Sequence, residues 1–167
     1  MRILVAVFVT SLVASPSSGQ VVPAIDIKAG EVQAFLAALP RDAVSDRPIR
    51  VVDVGGSQVG VYGVFRPRTS KQEAILHDTT VSEVYYMLSG AATLVTGGTI
   101  APPTRQAAGL SGSNLRGDRI EGGVSRRITP GDIVIIPPRT PHWWSQLDGD
   151  IAYLIVRPDP NSKLTRK

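Results

Sequence analysis

The 167-residue sequence contains no cysteine, which excludes a disulfide scaffold, a thiolate zinc site and a catalytic thiol together. Histidine is nearly as scarce, with two residues, so any imidazole chemistry runs through His77 and His142. Aromatic side chains make up 5%, and none interleaves with a basic stripe as nucleic-acid binding requires. Long apolar runs are missing too. The longest, Ile3 to Val13, is too short for a resident membrane helix.

That run has another use. It follows Met1 and Arg2 and precedes the small residues and proline of Ala14 to Gly19, the three-part layout of a secretory signal peptide. Residues 1–19 therefore read as an export signal cleaved between Gly19 and Gln20. Once it is removed, the expectation is an exported protein, periplasmic or secreted, with no membrane partner. The formal charge of +4 has a local origin. Without Arg2 and the tail residues Lys163, Arg166 and Lys167, basic and acidic residues balance at 14 each, which argues against a nucleic-acid partner. Residues 159–167 read as a basic, frayed tail.

The length suits one domain with a substantial core. Residues 20–47 read as a helix and a linker. Val32, Phe35, Leu36 and Leu39 recur at helical spacing, Asp26 is placed to cap the helix, and Pro40 ends it. Arg41 to Pro48 is polar. Residues 48–158 are dominated by short β-branched segments bounded by turn formers. Ile49–Val54 and Val59–Phe65 flank Gly55-Gly56-Ser57 as a hairpin. Further strands are expected at Glu73–His77, Glu83–Ser89, Ala91–Thr96, Val124–Thr129, Asp132–Ile136, Trp143–Leu147 and Ile151–Arg157. The stretch 97–123, rich in Gly, Pro, Ser, Thr and Arg, reads as a long loop. Many short strands with one helix mean an all-β barrel or sandwich.

Both histidines lie beside strand ends, and Glu83 follows His77 by six residues. Neutral imidazole and ionised carboxylate are a common ligand set for first-row transition metals. Spacing alone does not decide the matter, but the surrounding strings carry more. From His77 the chain reads His-Asp-Thr-Thr-Val-Ser-Glu-Val-Tyr-Tyr-Met-Leu-Ser-Gly, with Gly90 closing the string. From Gly131 it reads Gly-Asp-Ile-Val-Ile-Ile-Pro-Pro-Arg-Thr-Pro-His, with Pro137 and His142 in order.

These two strings resemble the two motifs of the cupin superfamily, over roughly residues 50–157. The resemblance implies a cupin-type β-barrel, a double-stranded β-helix or jelly roll with one N-terminal helix. It also implies a divalent transition metal (iron, manganese, nickel or zinc) held by His77, Glu83 and His142. The departures are specific. Thr79 stands where the family usually has a second histidine, Arg139 and Lys71 where it usually has glycine, and Gln146 where it often has asparagine. Three readings stay open: a metal site completed by water or Thr79, a metal-free module binding an organic ligand, and two hydrogen-bonded core histidines.

Strand alternation places further residues in the pocket. If Glu83 points inward, so do Tyr85 and Met87; if His142 does, so do Trp144 and Gln146. Tyr85 and Glu83 are then the candidates for proton handling. Trp144, Gln146, Met87 and Thr79 are candidates for substrate contact. Tyr86 and Trp143 face outward on this register, as a covered surface or subunit interface would require. Arg105, Arg116, Arg119, Arg126 and Arg127 bias the 97–123 region and its exit positive, which could steer an anion. The family hosts dioxygenases, isomerases and binding modules alike, so the resemblance implies a small-molecule partner, and a homodimer, without naming a reaction.

Overall fold

The computed structural model describes residues 23–109, 112–162 and 164. The expected export signal at 1–19 lies outside the described residues. The helix α1 spans Ala29–Ala37, later than Asp26 would cap. Its N-cap is Lys28, with no side-chain cap, and Asp26 instead ion-pairs with Lys28. Phe35, Leu36 and Leu39 pack on Phe65 and Ala152.

Thirteen strands follow among the described residues. They are β1 (Ser45–Asp53), β2 (Gln58–Arg66), β3 (Ala74–His77), β4 (Glu83–Ser89), β5 (Ala92–Thr96), β6 (Thr99–Ala101) and β7 (Thr104–Gly109). Then come β8 (Gly112–Gly117), β9 (Arg119–Glu121), β10 (Val124–Ile128), β11 (Ile133–Ile136), β12 (His142–Leu147) and β13 (Ile151–Asp159). Every strand expected from the sequence is present. The linker is shorter than expected, because β1 starts at Ser45 and pairs with β2 across the Gly55-Gly56 turn.

Two sheets face each other rather than closing into a continuous barrel. One has the order β1-β2-β13-β4-β11, the other β10-β5-β12-β3-β8-β7. The core between them draws Val64, Tyr85, Met87, Val134, Tyr153 and Ile155 from the first sheet and Leu94, Ile128, Trp144 and Leu147 from the second. Alternation explains this selection, since the intervening residues face α1, solvent or a second buried cluster around Val95, Ile100 and Ile120. Gly90 makes the reversal into β5 with φ +76°, and a Cβ there would run into the Asp150 carbonyl oxygen.

Two expectations need correction, and a third is met within the chain. The stretch 97–123 is not a loop. The β7–β8 hairpin extends the second sheet by pairing β8 with β3, and β6 pairs with β9. Weak alternation concealed it, and β7 forms the edge of the sheet. Trp143 faces away from the main core as expected, and the surface that covers it belongs to its own chain. It packs against the cluster of Ala74, Val95, Ile100 and Ile120, and its indole Nε1 donates to the Gln72 carbonyl at 2.9 Å. Finally, the tail is anchored at its start. Buried Asp159 accepts the amides of Asn161 at 3.2 Å and Leu164 at 2.6 Å, and Leu164 is itself buried.

Candidate metal centre

The two motif stretches meet between the sheets. His77 ends β3 and His142 opens β12, neighbours in the second sheet, while Glu83 opens β4 in the first. Each offers one ligand atom, and these atoms lie within 4.8 Å of one another. Glu83 Oε2 is 3.5 Å from His142 Nε2. Ligand atoms about 2.1 Å from a shared ion sit roughly 3–3.5 Å apart in tetrahedral or cis arrangement, so this pair already has a ligating separation.

The outer contacts set the tautomers. His142 Nδ1 lies 3.0 Å from the Thr140 carbonyl oxygen, an acceptor only, so the proton sits on Nδ1 and the lone pair on Nε2. His77 Nδ1 is 2.8 Å from Asn114 Oδ1, with the same consequence. Glu83 is buried but charged. Burial pushes its carboxyl up, yet Arg157, with His142 and His77 adding to it, brings it down to about 2. Arg157 Nε donates to Glu83 Oε1 at 2.8 Å, and the same guanidinium forks onto Asp46 at 2.6 and 3.1 Å. Two lone-pair imidazoles and an ionised carboxylate fit a divalent transition metal as donors.

Proton handling looks different from the expectation. A carboxylate held near 2 is a poor general base at neutral pH, so Glu83 suits ligation better than proton transfer. Tyr85 donates its hydroxyl proton to Glu83 Oε2 at 2.9 Å, and burial holds the phenol well above its usual range. Its firmest role is orienting the carboxylate.

Of the expected substrate contacts, Trp144 and Met87 point inward as alternation required. They belong to the packed core and do not line the cavity. Trp144 Nε1 donates to the Tyr153 hydroxyl at 3.2 Å. Gln146 is exposed, against expectation, and donates to Asp148 at 3.3 Å. A bulge between Trp144 and Gln146 inserts one residue, which turns Gln146 out and seats Leu147 in the core. Thr79 is also displaced from the site. β3 stops at His77, the Thr79 amide turns back to the His77 carbonyl, and the Thr79 hydroxyl accepts from the Val81 amide at 3.3 Å. Arg139 adopts φ +57°, a glycine-like conformation at a position where the motif prefers glycine.

A cavity of about 420 Å³ opens beside the three residues, and Arg66, Arg116 and Arg157 lie on its wall with Asp46 and Glu73. Sequence reasoning missed Arg66, Arg157 and Asp46. Much of the expected positive bias is discharged locally: Arg116 pairs with Glu73 at 3.0 Å, Arg127 with Asp148 at 2.6 Å, and Arg119 with Glu121.

Acid should act on the metal-free protein in two stages. Burial lowers the His142 pKa from 6.5, so below that value the unfolded chain takes up a proton the folded chain resists, and stability falls. A second loss follows from 4.5 down to about 2, as Glu83 is protonated. Urea unfolding between pH 7 and 3 checks this. In His142→Gln the first decline shrinks while the second persists; a wild-type stability flat from pH 7 to 5 would contradict the assignment.

No family model and no curated protein matches the sequence. Solved structures do resemble it. An RmlC-like cupin family protein with a double-stranded β-helix fold from Methanocaldococcus jannaschii is 14% identical, covering 74% of this chain and 88% of that one, with a TM-score of 0.44. The DMSP lyase DddQ from Ruegeria pomeroyi is 18% identical over 87% of this chain and 80% of that one, with a TM-score of 0.42. The Schizosaccharomyces pombe Cnp3 cupin domain is 9% identical over 74% and 66%, with a TM-score of 0.48. The two motif stretches meet at one point between two facing antiparallel sheets, which is the arrangement that their resemblance to the cupin motifs implies.

Proposed function

We propose that the protein is an exported cupin that binds a divalent transition metal through His77, Glu83 and His142 and acts on a small organic molecule held in the adjoining cavity. The observation that carries this reading is the convergence of those three side chains, with both imidazole lone pairs on Nε2 and the carboxylate ionised. A metal bound there supplies Lewis acidity or a seat for dioxygen, the chemistry of isomerase-like or dioxygenase-like proteins. The chain's own residues hold the site. Asn114 and the Thr140 carbonyl fix the imidazoles, Arg157 keeps Glu83 charged, and Tyr85 orients it. Two copies are proposed to pair through the outer face of β11 and β4, where Ile133, Ile135 and Tyr86 are exposed.

One observation favours a second reading, a metal-free module binding a sugar or carboxylate. Both Glu83 oxygens already accept hydrogen bonds, from Arg157 and Tyr85, so the polar floor is satisfied without an ion. Metal analysis of the untagged mature protein separates the two. Near-stoichiometric iron, manganese, nickel or zinc is expected, and its absence after anaerobic reloading supports the binding module. Sedimentation of the same sample tests the pairing.

A further inference from the structure

Arg66 differs from the other cations on the cavity wall. Arg157 pairs with Asp46 and Glu83, Arg116 with Glu73, and Lys71 with Asp118. Arg66 has only neutral partners: its Nε donates to the Tyr153 hydroxyl at 2.9 Å and its Nη1 to Gln72 Oε1 at 2.9 Å. Among the described residues no acid pairs with it, and Nη2 has no hydrogen-bond partner. Asp46 acts on this guanidinium only through space, because both of its carboxylate oxygens are already held by Arg157, so burial costs Arg66 solvation that no direct ion pair returns. Tyr153 and Gln72 nevertheless hold it in place. A second shortfall lies on the same wall, where Arg116 Nε is buried with no hydrogen-bond partner.

We propose that Arg66 is a carboxylate-binding subsite, so that the cavity takes a small organic acid. This deepens the function proposed above by naming its substrate class, and it rests on that reading for the chemistry, though not for the binding. A guanidinium fork matches the two oxygens of a carboxylate through parallel charge-assisted hydrogen bonds. One unpaired positive charge is neutralised by a monoanion, whereas a phosphate dianion leaves a charge over. Arg66 shares its cavity with His77, Glu83 and His142, so an acid anchored there brings the rest of its frame to the metal centre.

Calorimetric titration of the metal-stripped protein tests the subsite, with pyruvate, pyruvamide and inorganic phosphate as probes. Wild type is expected to bind pyruvate in preference to the other two. Arg66→Gln should weaken pyruvate at least about 10-fold. Equal pyruvate affinity in wild type and R66Q, or phosphate bound more tightly than pyruvate, overturns the proposal. Should R66Q fail to fold, Arg66→Lys keeps the charge and removes the fork. An R66K protein that melts like wild type and binds pyruvate just as tightly also overturns it. Metal uptake, measured separately, should be the same in R66K and wild type, so a failure of the metal reading is told apart from a failure of the subsite.

Discussion

Replacing Arg157 with methionine is expected to destabilise the protein by roughly 3–5 kcal/mol at pH 7, the range for removing one partner of a buried ion pair. Arg157 is 7% exposed and Glu83 5%, so the substitution strands a carboxylate that is almost wholly buried. It also strips Asp46 of its forked partner and removes the guanidinium stacked 4.2 Å from the Tyr62 ring centre. In a domain of this size the loss corresponds to a fall in melting temperature of roughly 10 °C. Urea unfolding measures it directly, and a loss under about 1 kcal/mol would show that the pair contributes little. Two controls locate the cause. Glu83→Gln in the Arg157→Met background should restore part of the stability, as expected for residues in contact. The penalty should also shrink on acidification. Without Arg157, burial is opposed only by the weaker pull of His142 and His77, so the Glu83 pKa rises and the stranded group sheds its charge at a pH where wild-type Glu83 is still ionised.

The second large effect concerns metal affinity. His142→Ala removes an Nε2 donor, and Glu83→Gln removes the anion that balances part of the ion's charge. Each is expected to weaken binding by at least about 100-fold, at or beyond the upper end of the roughly 10–100-fold typical for losing an outer partner. Asn114→Ala should fall within that lower range, because it frees the His77 ring without deleting a ligand. Competition against a chromogenic chelator gives all three constants. The ranking is the test: an Asn114→Ala loss equal to that of His142→Ala would mean that histidine orientation, rather than ligand number, dominates, and a His142→Ala protein that binds as tightly as wild type would remove that residue from the site.

The three candidate ligands were legible as a group because they stand at fixed offsets within contiguous strings, and the inward turn of Tyr85 and Met87 followed from alternation along an uninterrupted strand. Legibility ended where pairing broke the period. One inserted residue beyond Trp144 turned Gln146 to solvent, and the end of β3 at His77 left Thr79 outside the alternation. Arg157 lies 74 residues from Glu83 and 111 from Asp46, so no local spacing links them. A signal did exist, since Ile151, Tyr153, Ile155 and Arg157 share one face and a charge in phase with buried apolar positions needs a partner. Asn114 had no such signal. It lies in a hairpin whose composition reads as loop, and only the pairing of β8 with β3 brings it opposite His77.

The three candidate ligands do not belong to one sheet: Glu83 sits on one layer of the sandwich, His77 and His142 on the other. An ion gripped by all three would act as a rivet through both layers. The resistance of the whole molecule to unfolding would then rise with the logarithm of free metal concentration above the dissociation constant, which would link the protein's persistence to the metal supply around it.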